Sequence, residues 1–217
     1  MADLAARLRR VSVVPVVTLP DPAAAVRLAD ALTEEGLPCL EIAFRAPGAA
    51  DAIKAVREER PEVLVGAGTV LTIEQARAAL DAGAEFVVSP GTNPRVVEYV
   101  LGHGGRMVPG VGSASEIEAN LERGLHLLKF FPAEALGGTR FLSSVHGAFP
   151  DVEFFPTGGV TVGNLRPYLA LDYVVAVGGT AITPQAALRA GDFQAIRSVA
   201  REVVLAAQQA RPAGTFR

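Results

Sequence analysis

The chain is short of several things that other chemistries need. One cysteine in 217 residues rules out an internal disulfide. That residue, Cys39 in PCLEIAF, reads as a small buried hydrophobe rather than a nucleophile. The histidines, His103, His126 and His146, lie in separate segments without metal-ligand spacing, so structural roles and no metal are expected. No apolar run approaches the roughly 18 residues of a membrane-spanning helix. The N-terminal MADLAARLRR lacks the apolar stretch of a secretory signal and suits a short amphipathic helix. A net charge of -3 and a pI near 5.7 give no reason to expect nucleic acid or an anionic membrane as partner. A cytoplasmic protein acting on small molecules is the expectation. Lysine is scarce too: the 20 Lys+Arg include only Lys54 and Lys129 as lysines.

What is abundant is apolar: 50% of the chain is hydrophobic. It falls into runs that alternate with helical stretches from end to end. The runs are VSVVPVVTL from Val11, PCLEIAFR from Pro38, VLVGAGTV from Val63, EFVVSPGT from Glu85, RMVPGVGS from Arg106, HLLKFFPA from His126, VEFFPTGG from Val152 and YVVAVGGT from Tyr173. Their starts are about 20 to 26 residues apart, room for a strand, a helix and two short loops. Continuous rather than alternating apolar character suits parallel strands covered on both faces. Between them, Asp21 and Pro22 open a helix that stops at Gly36, Thr72 opens one that ends at Gly83, and Ser113 or Ser115 opens one that ends at Gly124. No linker or change of composition divides the chain. The expected fold is α/β, a single-domain (β/α)₈ TIM barrel over residues 1–217 with a short N-terminal helix. An open doubly wound sheet is the competitor, but GAGTVL lacks the third glycine of a dinucleotide fingerprint.

A barrel of this kind does its chemistry where strands end. In LEIAFR, Glu41 and Arg45 share parity with Ala43, which predicts a carboxylate and a guanidinium on one strand face, toward the lumen. They form either a buried ion pair at the mouth or a proton-transfer group and an anion grip. Thr69 ends the third run, and Pro90 shapes the turn after the fourth. Gly158 and Gly159 follow the seventh, and Gly178, Gly179 and Thr180 end the eighth. Paired glycines after strands seven and eight either serve only tight turns or bind phosphate through exposed N–H groups, as this fold commonly does there.

Lys54 has an ordinary setting, one helical turn from Asp51 and Glu58. Lys129 does not: it stands among Leu127, Leu128, Phe130 and Phe131. An amine attacks a carbonyl only when unprotonated, and apolar surroundings disfavour the ammonium form while a nearby carboxylate favours it. Lys129 is therefore either a nucleophile or the partner of a structural pair with Glu41.

The stretch GLHLLKFFPAEALGG resembles the Schiff-base lysine region of the 2-keto-3-deoxy-6-phosphogluconate (KDPG) / 4-hydroxy-2-oxoglutarate (KHG) aldolase family. GLPCLEIAFR is similar to its glutamate-and-arginine segment, and VGAGTVL, SPGTNP, FPTGGV and VGGTAI follow in the family's order, so the likeness spans nearly the whole chain. The resemblance implies a class I aldolase on 2-keto acids, without metal or cofactor. It gives imine formation to Lys129, proton relay to Glu41, the substrate carboxylate to Arg45 and Thr69, and the pocket walls to Pro90 and Phe131. It gives the phosphate to Gly158, Gly159, Gly179 and Thr180, and it implies a homotrimer. Two positions depart from the family: Ala43 stands where threonine is usual, and Thr180 where serine is frequent. An isomerase or epimerase acting on phosphosugars would keep the glycines without needing Lys129, and a non-catalytic metabolite-binding barrel would keep the Lys129–Glu41 pair as structure. Among aldol substrates, the gluconate-type, the galactonate-type and the short hydroxy-keto acid remain open.

Overall fold

The computed structural model describes residues 2–211. Parallel strands close into a barrel of eight staves: β1 (Val13–Val17), β2 (Cys39–Ala43), β3 (Leu64–Gly68), β4 (Phe86–Val88), β5 (Met107–Val108) with β6 (Gly110–Val111), β7 (Leu127–Phe130), β8 (Glu153–Pro156) and β9 (Val177–Gly179). One sheet runs β5-β4-β3-β2-β1-β9 and the other β6-β7-β8. The chain itself joins them through Pro109, and parallel bridges Phe154↔Val174 and Thr157↔Gly178 close the other seam. The fifth stave is broken because proline has no N–H for the ladder, while its carbonyl still accepts from the Lys129 N–H at 2.9 Å.

Several helices begin where the chain offers a side-chain cap. Asp21 accepts from the Ala23 N–H and Pro22 opens α2 (Pro22–Glu34). Thr72 caps α4 (Ile73–Asp81), and Ser113, not Ser115, caps α6 (Ala114–Leu121). The outer layer is completed by α3 (Ala49–Glu59), α5 (Pro94–Gly102), α7 (Gly138–His146), α8 (Leu165–Leu169), α9 (Gln185–Ala190) and the long α10 (Phe193–Ala210).

Alternation along each strand separates two cores. Outward residues such as Leu40, Ile42, Val65 and Phe130 meet the helices, and inward residues such as Val14, Cys39, Leu64, Phe86, Leu127 and Phe155 fill the lumen. The N-terminal helix α1 (Ala2–Val11) sends Leu4, Ala5 and Leu8 into that inner core and plugs the barrel's N-terminal end. The eighth stave departs from strict alternation. Val175 and Ala176, neighbours in sequence, both enter the inner core, so regular pairing with β1 begins only at Val177.

Candidate active site

Lys129 lies on β7 two residues beyond the inward Leu127, and so projects into the lumen above the inner core. Glu41 has the same relation to Cys39 on β2. The two side chains meet across the barrel with Nζ 3.6 Å from Oε1, at 3% and 0% exposure. Small residues make the crossing possible. Any side chain on Gly68 would overlap the Glu41 carboxylate, one on Gly66 would overlap the Phe86 ring, and Gly110, the ladder partner of Lys129, lies against the Pro90 carbonyl. Neither oxygen of Glu41 accepts a hydrogen bond among the described residues. The pair is thus held by charge, a costly arrangement for two buried groups unless they have other work.

The remaining sequence-predicted residues ring the mouth. Phe131, directly after β7, places its ring centroid 5.3 Å from the Lys129 Nζ. Thr69, directly after β3, has φ 55, one of two non-glycine residues with positive φ among those described. For a β-branched residue that backbone costs on the order of 1–3 kcal/mol, and such strain gathers at functional sites. Gly158 and Gly159 have φ of +101 and +84. A Cβ on Gly158 would approach the Phe131 ring to 3.1 Å, and one on Gly159 would approach the Glu134 side chain to 2.6 Å. Gly179 is buried against the Val160 carbonyl, and Thr180 stands exposed at the start of a 3₁₀ turn, Thr180–Ile182.

Arg45 is placed differently from its strand parity. The Phe44 N–H continues the ladder to Gly68 O, but the Arg45 N–H turns back to Ala43 O at 2.8 Å. The strand therefore ends at Ala43, and Arg45 stands exposed on the rim without contact to Glu41. One lumen group escaped the sequence reading. Thr157, at the end of β8 beside Gly178, is buried with its hydroxyl unpartnered among the described residues. Its lumen parity with Phe155 was the available signal.

Other reactive types are accounted for structurally. Burial, reinforced by the Glu41 charge, pushes the Cys39 thiol well above its ordinary range, so it stays an unreactive thiol. His103 ends α5, with its Nδ1 2.7 Å from the Tyr99 carbonyl, and His146 stacks on Tyr173. Lys54 meets Glu58 at 3.9 Å on the surface of α3. Among the described residues no His, Cys, Asp and Glu cluster is placed to hold a metal ion.

A closed (β/α)₈ barrel with a buried amine against a carboxylate near its strand ends belongs to the class built for imine chemistry. The comparisons are more specific. A family model for KDPG and KHG aldolase matches residues 4–199. The 2-dehydro-3-deoxy-phosphogluconate aldolase of Treponema pallidum (strain Nichols) is 50% identical, covering 91% of this chain and 94% of that one. The KHG/KDPG aldolase of Escherichia coli (strain K12) is 42% identical over 88% of this chain and 90% of its own. A crystal structure of KDPG aldolase from Legionella pneumophila, with pyruvate captured as a covalent carbinolamine intermediate, superimposes with a TM-score of 0.87 at 36% identity, covering 92% of this chain and 97% of that one. The chain belongs to the KDPG and KHG aldolase family.

Proposed function

We propose that this chain is a class I aldolase that reversibly cleaves KDPG to pyruvate and glyceraldehyde 3-phosphate, and KHG to pyruvate and glyoxylate. The observation that carries this is the buried pair of Lys129 and Glu41, 3.6 Å apart at the lumen mouth. Lys129 gives its ammonium proton to Glu41 and attacks the C2 carbonyl of the substrate, forming a carbinolamine. Glu41 returns a proton to the departing hydroxyl, and water leaves as the iminium forms. Glu41 then removes the C4 hydroxyl proton. The C3–C4 electrons flow into the iminium, and the aldehyde leaves. Protonation of the enamine at C3 and hydrolysis release pyruvate and restore the amine. Glu41 suits this relay because its carboxylate lies 3.6 Å from the Lys129 amine at which the imine forms. The iminium is itself the electron sink, so the chemistry calls for no metal or cofactor.

Around that centre, Arg45 and Thr69 on the rim take the substrate carboxylate, and Pro90 and Phe131 form the walls. Gly158, Gly159, Gly179 and Thr180 receive the distal phosphate. Ala43, on the lumen face two residues above Glu41, bears on the choice among substrates. Family kinship supports a homotrimer, and we place the enzyme in the cytoplasm as one barrel domain over 1–217, of which residue 1 and residues 212–217 lie outside the described residues.

The test is borohydride reduction in the presence of pyruvate, followed by intact-mass analysis and peptide mapping. One stable adduct on Lys129 is the expected result. No adduct, or an adduct on Lys54, would refute the mechanism.

A further inference from the structure

We propose that Tyr168 is a positioning residue for the phosphate turn, acting through Glu134. The role rests on the proposal that Gly158 and Gly159 receive the phosphate.

Glu134 touches both glycines. Its N–H donates to the Gly158 carbonyl at 3.0 Å, and its Cβ and Cγ fill the space where a side chain on Gly159 would stand, 2.7 and 2.6 Å from that Cβ position. The neighbouring Ala133 N–H donates to Thr157 O at 2.9 Å, so the segment after β7 is laced to the end of β8. The Glu134 carboxylate accepts from the Tyr168 hydroxyl, and among the described residues no cation pairs with it. Tyr168 belongs to α8, the element that follows the turn, and is 2% exposed. Burial first, and the carboxylate second, keep its phenol above the ordinary range, so it remains a proton donor. The far side of the turn is held by the Asn164 amide, which donates to the Gly159 carbonyl at 3.0 Å.

A carboxylate beside an anion site repels the anion, so its charge has to be held in one direction. The Tyr168 hydroxyl supplies the fixing. It holds the Glu134 stem against Gly159 and keeps the turn in one left-handed form. A turn that holds the phosphate alike in ground and transition state is reflected in KM, whereas the imine steps belong to Lys129 and Glu41.

Tyr168→Phe keeps the ring and removes the tether. Its KM for KDPG should rise about tenfold, the scale of one lost hydrogen bond to a charged group, with kcat unchanged. Its kinetics with KHG, which has no phosphate, should stay as in the wild type. Glu134→Gln keeps the acceptor and the packing and should lie within about twofold of wild type, while Glu134→Ala should match Tyr168→Phe. If Tyr168→Phe fails to fold, the two Glu134 variants make the same comparison. Unchanged KM for KDPG, a fall in kcat, or parallel losses with KHG would overturn the proposal. Wild-type enzyme assayed with KDPG and its dephosphorylated analogue separates the two claims. Equal kcat/KM would remove the phosphate site and this role with it. A preference left undiminished in both Tyr168→Phe and Glu134→Ala would remove this role alone.

Discussion

Lys129 and Glu41 make each other possible. Either charge alone in that lumen would be desolvated without compensation, and removing one partner of a buried pair costs about 3–5 kcal/mol. Lys129→Met should therefore abolish cleavage and lower unfolding stability by about 3 kcal/mol, while the double variant Lys129→Met/Glu41→Gln should recover at least half of that loss. Urea unfolding of both single variants and the double variant checks this; strictly additive losses would mean the charges do not sense each other. The pair was legible in the sequence for a simple reason. A lysine in an apolar run has few uses, and period-two parity with Cys39 and Leu127 turns both side chains inward. Arg45 was not placed correctly by the same parity, because alternation carries no mark of where a ladder stops. The backbone turn from Arg45 N–H to Ala43 O decides that, and it moves the guanidinium to the rim. Thr157 was passed over because Thr-Gly-Gly reads as a turn, although its hydroxyl lies on the lumen side.

Among the elements, α1 has the clearest separate task. Leu4 and Leu8 are 1% and 0% exposed in the inner core, at the opposite end of the lumen from the reacting groups. Leu8→Ala should cost about 2–5 kcal/mol, as large-to-small changes in a tight core do, yet leave kcat of the folded enzyme unchanged. The urea midpoint and kcat measured on the same preparation test this; a matching fall in kcat would tie the plug to the site. The amphipathic character of α1 could be read from MADLAARLRR, but not its destination, since the cavity it enters exists only when the barrel has closed. The staves themselves were legible from spacing and continuous apolar runs. Their irregularities were not read there: Pro109 breaks the fifth stave for want of an N–H, and Val175 and Ala176, neighbours in sequence, both turn inward.

On the scale of the whole barrel, arginine forks link elements distant in sequence. Arg60 grips Asp30 between the end of α3 and α2, Arg201 grips Glu35 between α10 and the end of α2, and Glu85 receives both Arg7 and Arg57. Each exposed pair contributes little alone, and salt screens it. Hydrogen bonds from these guanidinium groups nevertheless hold the Asp30 and Glu35 carboxyls below their ordinary values of 3.8 and 4.5. A carboxylate with a depressed native pKa adds stability above its unfolded pKa and loses that stability as pH falls through the native value. The contribution of these pairs should thus be constant from pH 8 to about 5 and vanish progressively below about 4. Thermal melts across that range, repeated at about 0.5 M salt, check the sign and the origin. Asp30→Asn should flatten part of the acid decline, and added salt should shrink the difference between that variant and the wild type. An acid decline identical in Asp30→Asn would show that this helix-to-helix fork plays no part in holding the shell around the barrel.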